Sequence, residues 1–436
     1  MFFYYLRLAR TRLLETRGTS LALVLALGVG IGSSMTMLIV VRTMSWDPLP
    51  VRSAQLFHPF LDPLPASYEI RGGNDPRVAL SWTDARRFMD EGPAPRQVAL
   101  AAGRLLVAAQ PGVSSPFFST GQYATRDIFD IFGMTLIAGR AWSQDEETAH
   151  ARVVVLSNSL ARRLNPHSSS LGKTVMLGTT TFHVIGVVAD WRPRPRFHTD
   201  LQQDVFKGAD DFYIPLRTAM ELELSVSSGV FSWSPTRGTN RLEDASSAWL
   251  QYWIQLQTDE QRSAYQRFMT AYVREQVSQG RFEKATPPRL VSLKEYLVQG
   301  RIIPNEVKLQ LTLCVAFLIV CLLNMSALIF ARFQRRNREI SVRRALGARR
   351  RDIIAQLCTE AGIIGVVGGC VGLVVAQAGL YLVRRQPEDY AALAFMDPGM
   401  VGVTLVLACG CSLLAALFPA LRATSGRLAM QIKASE

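Results

Sequence analysis

The sequence predicts a membrane protein with four transmembrane α-helices and a large α+β extracytoplasmic domain between helices 1 and 2. Three observations carry this. Four stretches of 22 or 23 residues hold no charged side chain. The interval 44–301 is polar instead, with 28 basic and 26 acidic residues. Over all 436 residues, 49% are apolar and only 19% charged, and mean hydropathy is +0.14, whereas a soluble domain is about a quarter charged. The same figures exclude intrinsic disorder, and the length excludes a small disulfide-stapled fold.

The chain opens with residues 1–18, an amphipathic segment assigned to the cytoplasm. Residues 1–20 carry Arg7, Arg10, Arg12 and Arg17 against Glu15, a net of +3. The first span, Thr19–Val41, follows. At about 1.5 Å per residue, 23 residues reach roughly 35 Å, enough for a hydrocarbon core of about 30 Å. Its apolar run is too long for a signal peptide and no small-x-small cleavage site follows Val41, so it reads as an uncleaved anchor.

Residues 42–308 form the extracytoplasmic domain with its stalk helices. Alternating or short apolar runs mark strands at Gln97–Val107, Val153–Ser157, Thr174–Leu177, Thr181–Val188, Asp211–Pro215 and Trp249–Leu256. Helical spacing marks Thr83–Glu91 after a capping Ser81, Asn158–Leu164 after Ser157, and Asp259–Gly280. Segments 190–210 and 224–247 are polar and read as loops. The mixture is α+β, with room for two lobes.

Three more spans complete the chain: 309–331, 361–383 and 400–421. Between them lie a cytoplasmic loop, 332–360, a short outer loop, 384–399, and a tail, 422–436. Charge gives the orientation. Residues 332–352 are +7, the tail is +2 and 384–398 is −1, while 44–301 is only +2. Basic flanks stay cytoplasmic, so both termini and the 332–352 loop are placed inside and the large domain outside. The total of +13 is thus a topology signal, and nucleic acid is not an expected partner. The six cysteines, Cys314, Cys321, Cys358, Cys370, Cys409 and Cys411, lie mostly in apolar runs and read as small hydrophobes.

Catalytic motifs are missing. Ser170–Thr174 (SLGKT) has the ending of a Walker A loop, but His167 stands where the first glycine belongs. The five histidines form no HxxxH or HExxH pair, no GxSxG occurs, and no metal site is expected. In the inner loop, Glu339 and Arg343 make an i,i+4 pair, and Ile340, Arg343, Arg344 and Gly347 suit a short amphipathic helix with a glycine cap. A second helix begins after Gly347, with Ile353, Ile354 and Leu357 on one face. In the third span, Gly365/Gly369 and Gly368/Gly372 are overlapping small-xxx-small pairs, leaving contact within the chain and contact between chains equally open. Gly28, Gly30 and Gly32 offer the same to the first span. Asn324, Ser33 and Ser34 are candidates for burial and interhelical hydrogen bonding.

REISVRRALGARRRDI (Arg338–Ile353), the glycine-rich helix after it and LFPALRA (Leu417–Ala423) together resemble the MacB/FtsX-like ABC transporter permeases. In the outer domain, FGMTLIAGRAWSQDEE (Phe132–Glu147), ARVVVLSNSLARRL (Ala151–Leu164), LGKTVML (Leu171–Leu177) and FHVIGVVAD (Phe182–Asp190) resemble that family's periplasmic core domain, in matching order. The resemblance covers nearly the whole chain. It implies a type VII ABC architecture in the inner membrane, with a porter-like and an inserted lobe outside. A second permease chain, identical or different, pairs with the first. A separate ABC ATPase subunit uses ATP and Mg, and the permease chain itself binds no cofactor. Residues Glu339, Arg343, Arg344, Ala345, Leu346, Gly347, Ala348 and Arg350 then form the ATPase-coupling loop. The implied task is mechanical export of periplasmic substrates, with membrane lipids around the spans and a periplasmic adaptor and outer-membrane exit duct as further partners. Lipoprotein release or control of a cell-wall hydrolase uses the same fold. A membrane-anchored sensor or adhesion protein without an ATPase is the expectation from another class.

Overall fold

The structure is a computed structural model; it describes residues 17–69, 75–108, 115–199, 205–206, 208–234, 241–300, 305–335, 350–386 and 394–425. The chain divides into two units, Met1–Ser45 with Ile303–Glu436, and Trp46–Ile302.

The first unit contains four helices long and apolar enough to cross a membrane. They are α1 (Arg17–Met44), α9 (Asn305–Arg335), α10 (Arg350–Arg384) and α11 (Pro398–Ser425), numbered with the helices of the second unit between them. In lipid, only intrasegment hydrogen bonding satisfies the backbone, which is why these runs are helical despite their glycines and β-branched residues. The inner-loop helix expected after Gly347 is continuous with the third span: α10 runs unbroken from Arg350 to Arg384. The segments 1–16, 336–349 and 426–436 lie outside the described residues.

The second unit is built on one sheet. Its strands are β1 (Leu56–Phe60), β2 (Leu80–Ser81), β3 (Arg96–Val107), β4 (Phe117–Ala124), β5 (Leu136–Gly139), β6 (Val153–Ser157), β7 (Thr174–Leu177), β8 (Thr180–Val188), β9 (Phe212–Pro215), β10 (Phe231–Ser232), β11 (Ser247–Gln255) and β12 (Arg289–Ser292). Their spatial order is β12-β1-β11-β3-β4-β9-β6-β8-β5, with β2 and β10 on β11 and β7 on β3 and β8. Most pairs are antiparallel, while β4 with β9 and β6 with β8 are parallel.

Helices cover both faces, so strands such as β6, β9 and β11 are buried throughout. This is the pattern of a sheet with no wet face. One core gathers Phe88 of α2 (Trp82–Glu91), Leu160 and Leu164 of α5 (Asn158–Leu164), Leu216 of α6 (Leu216–Glu221) and Tyr265, Met269 and Tyr272 of α7 (Asp259–Ser278). The opposite core gathers Ile128, Phe129, Ile131 and Phe132 of α3 (Ile128–Phe132), Trp142, Phe197, Trp253, and Leu293 and Tyr296 of α8 (Leu293–Gln299). A short helix, α4 (Gln144–Thr148), starts from a capping box in which Ser143 and Glu146 satisfy each other's backbone N–H.

Candidate functional site

The four membrane helices are joined where side chains are smallest. A Cβ added at Gly368 would stand 2.8 Å from Leu27 Cδ2, and one at Gly372 would stand 3.3 Å from the Gly28 carbonyl oxygen. From the other side, a Cβ at Gly32 would lie 2.6 Å from Val375 Cβ and 2.8 Å from the Gly372 oxygen. On a second face of α10, a Cβ at Gly365 would meet Ser412 Oγ at 2.4 Å and Cys409 Cα at 2.9 Å, and one at Gly369 would meet Ala408 Cβ at 3.0 Å. The structure places both overlapping pairs within this chain: Gly368 and Gly372 on the first span, Gly365 and Gly369 on the fourth.

Hydroxyls add interhelical bonds. Ser34 Oγ lies 2.8 Å from the Gly30 oxygen and 3.1 Å from that of Cys314 on α9. Thr36 Oγ1 donates to Gly32 O at 2.9 Å and approaches Ala376 O on α10 at 3.5 Å, whereas Ser33 bonds back to Gly30 in its own helix at 3.1 Å. Asn324 departs from the sequence expectation. It is exposed on α9, because α9 turns mainly one face, through Leu318, Cys321 and Met325, toward the other helices. At the start of α11, Asp397 Oδ1 caps Met400 N at 2.7 Å and Arg42 of α1 lies 3.5 Å from the same carboxylate.

Of the coupling-loop residues, Glu339, Arg343, Arg344, Ala345, Leu346, Gly347 and Ala348 lie outside the described residues, and Arg350 is the first residue of α10. Two to three turns further, Leu357 and Glu360 are buried, and Gln356 Nε2 donates to Glu360 Oε1 at 3.4 Å. Sequence reasoning began the span after Glu360 and so missed a carboxylate inside it. The i,i+4 spacing to Gln356 was the available signal.

In the second unit the titratable groups serve packing. Lys173, the lysine of SLGKT, donates to Asn165 Oδ1 at 2.7 Å and Ser168 Oγ at 2.6 Å. The segment runs from α5 into the strand β7 rather than from a strand into a helix, so it makes no phosphate cradle. Asp84 is buried with Arg281: its carboxylate accepts from Tyr272 Oη at 2.5 Å, Ser81 Oγ at 2.6 Å and the Arg281 guanidinium. His58 is fully buried, with Nδ1 2.8 Å from Tyr252 O, and burial lowers its pKa to about 4. Asp210 is fully buried too, bonded to Arg196 at 2.5 Å, His198 Nε2 at 2.5 Å and Gln122 Nε2 at 2.9 Å. Burial pushes its carboxyl up, but Arg196, His198 and Gln122 outweigh that and hold it well below the usual range. His150 pairs with Glu221 at 2.6 Å on the surface. Among the described residues, no group of three His, Cys, Asp or Glu is placed to hold a metal ion.

The pattern of the MacB-like periplasmic core domain family fits residues 20–281, more than half of the chain. The chain belongs to the MacB/FtsX-like ABC transporter permeases. In this permease the FtsX-like permease C-terminal pattern fits residues 311–427, so residues 282–310, with α8 and the start of α9, lie between the two family segments. The permease is 26% identical over 254 positions to the macrolide export ATP-binding/permease protein MacB of Chromobacterium violaceum. It is 24% identical over 267 positions to the protein of that name from Escherichia coli (strain K12). These matches cover 58% and 57% of the permease but only 34% of each relative. Among solved structures, it is similar to the periplasmic region of MacB from Actinobacillus actinomycetemcomitans (16% identity, TM-score 0.36, covering 56% of this chain and 90% of that one). It is also similar to the extracellular domain of the ABC-type transporter YknZ from Gram-positive bacteria (16% identity, TM-score 0.35, covering 54% and 100%).

Proposed function

We propose that this permease is the membrane subunit of an ATP-driven export system of the inner membrane, converting work done by a separate ABC ATPase into movement of its outer domain. The observation that carries the reading is the order of parts in one chain. The MacB-like core domain is inserted between the first and second spans, and the FtsX-like helices follow it. Both ends of the polar unit, at Trp46 and Ile302, are therefore pulled whenever α1 and α9 move. The Arg-rich segment Glu339–Arg350 is the handle in this proposal, and Arg343, Arg344 and Gly347 are its contacts with the ATPase.

Two supports come from chemistry. Lys173 is spent on Asn165 and Ser168, which leaves SLGKT without a free lysine for phosphate; in this proposal a separate chain hydrolyses ATP and binds Mg. Asn324 projects an amide from an otherwise apolar, exposed helix face, and an amide in lipid is satisfied best by another helix. This favours pairing of α9 with a second permease chain. The two relatives carry macrolide export in their names, and the proposal extends that kind of task, outward movement of an amphipathic compound already in the periplasm, to this chain. The test is co-purification with the ABC ATPase encoded nearest its gene, in lipid nanodiscs. Arg343→Glu and Gly347→Arg are expected to lower recovery of the ATPase at least tenfold. A wild-type chain that captures no ATPase, or variants that capture it equally well, overturns the reading.

A further inference from the structure

In segment 190–199, which follows β8, Arg196 and His198 are both fastened to the sheet through one carboxylate. Asp210 Oδ1 receives the Arg196 guanidinium at 2.5 Å and Gln122 Nε2 of β4 at 2.9 Å, and Oδ2 faces His198 Nε2 at 2.5 Å. At the start of the segment Asp190 Oδ1 accepts from Ser159 N at 2.8 Å, and other contacts are local or apolar. Arg196 N donates to Val205 O at 2.8 Å and Thr199 Oγ1 to Arg196 O at 3.1 Å. The Phe197 ring is fully buried between Phe132 and Trp253, at centroid distances of 5.1 Å from each.

Hydrogen-bond accounting fixes the state of His198. An ionised carboxylate only accepts, so Nε2 carries the proton and Nδ1 holds a bare lone pair. Nδ1 is buried and has no hydrogen-bond partner among the described residues, and the ring is walled by Trp191 at 4.6 Å, Phe197 at 5.5 Å and Phe132 at 6.1 Å. A second proton would sit at Nδ1 with no acceptor in an aromatic cage. The charged and titratable groups facing this site are Asp210 and Arg196 from the same loop, Tyr213 and Asp211 at β9, and Asp190 at the end of β8. Asp211 is already held by Ser119 at 2.5 Å and Asp190 by the Ser159 N–H at 2.8 Å. Helix α3 presents Phe132, and β4 the neutral Gln122. Among the described residues, Asp210 is the one carboxylate that bonds His198.

We propose that Asp210, His198 and Arg196 form a proton-sensitive latch that holds segment 190–199 on the sheet at neutral pH and releases it in acid, uncovering the rings of Phe132 and Phe197. Burial holds His198 below its usual range more strongly than Asp210 raises it, so the latched form resists the proton and the released form, with a solvated histidine, takes it. The sign follows. Below about pH 6.5, where a free imidazole titrates, the released form binds one proton more, and the opening equilibrium rises about tenfold for each pH unit.

Amide hydrogen exchange on the full chain in nanodiscs, corrected for the intrinsic pH dependence of exchange, tests this. Protection of 191–199 is expected to fall about tenfold per pH unit below 6.5, while 98–101 in β3 keeps its protection. His198→Gln, whose amide still donates to Asp210 but cannot charge, removes the slope. Asp210→Asn leaves 191–199 weakly protected at every pH. A wild-type segment whose protection does not change with pH, or one that opens together with β3, overturns the latch. So does a His198→Gln variant that keeps the slope. If that variant loses β3 protection at neutral pH, the wild-type comparison of the two segments decides alone.

Discussion

Gly365 and Gly362 lie one turn apart on α10, yet their surroundings differ completely. A Cβ at Gly362 would meet nothing within 4 Å, whereas one at Gly365 would meet Ser412 Oγ at 2.4 Å, Cys409 Cα at 2.9 Å and Ala408 O at 3.1 Å. Ser412 Oγ can rotate away; the other two are the backbone of α11 and cannot move without moving the helix. Alanine for glycine in a helix gains about 1 kcal/mol of propensity at either position. That gain cancels when the two variants are compared, leaving the overpacking term of about 1–3 kcal/mol. Gly365→Ala is therefore expected to be less stable than Gly362→Ala by about 1–3 kcal/mol. Unfolding of each full-length variant by sodium dodecyl sulfate in mixed micelles, followed by far-ultraviolet circular dichroism, measures the difference. Equal midpoints would refute the close approach of α10 and α11, and with it the assignment of Gly365 to a contact within the chain.

His58 is fully buried with a pKa lowered from 6.5 to about 4, so the unfolded chain binds the proton first as pH falls. Its contribution to stability is whole above pH 6.5 and is lost toward pH 4 at about 1.4 kcal/mol per pH unit; denaturant titrations of the wild type and of His58→Gln at several pH values should show that slope only in the former. Asp84→Ala strands the Arg281 guanidinium and is expected to cost about 3–5 kcal/mol, with much of that recovered in the double variant Asp84→Ala/Arg281→Met; chemical denaturation followed by tryptophan fluorescence reads both. Lys173→Ala should leave ATP turnover of the assembled transporter unchanged, because Lys173 is bonded to Asn165 and Ser168, and a loss of turnover would restore SLGKT as a nucleotide loop.

Where local physics decides the structure, the sequence was legible. Val153–Ser157 and Asn158–Leu164 are found at those bounds, because the apolar run ends at Ser157, whose Oγ accepts from Leu160 N at 3.1 Å and starts the helix. Strand β4 is the opposite case. FFSTGQYA has no alternation and a single β-branched residue, Thr120; it is a strand because β3 pairs with it from Leu100↔Ala124 to Val107↔Phe117. Its glycine is demanded by tertiary contact, since a Cβ at Gly121 would lie 2.2 Å from Phe212 O. Segment 190–210 was legible as a loop, but the burial of residues 195–199 and of Asp210 was not. Arg196 looks as solvated in sequence as Arg192 and Arg194, and the Gln122 that bonds Asp210 lies 88 positions away. Long-range partners of this kind leave no trace in local composition.

The packing of α10 bears on how the proposed handle would work. The coupling segment enters α10 at Arg350, and from there the chain is helical for 35 residues, roughly 50 Å at the usual rise. Along that length α10 meets α1 and α11 through glycines, so the closest contacts involve backbone with few side-chain torsions between. Flexible side chains absorb a displacement by changing rotamer, whereas a backbone contact passes it on. The contact of α9 with α1 is softer, made by Leu318 and Cys321 side chains against Gly30. On the coupling proposal, then, work delivered at Arg350 reaches α1 before α9, and α1 leads directly into the outer unit at Trp46. The two ends of that unit would be driven unequally, and unequal drive at two attachment points changes the shape of a domain rather than merely carrying it along.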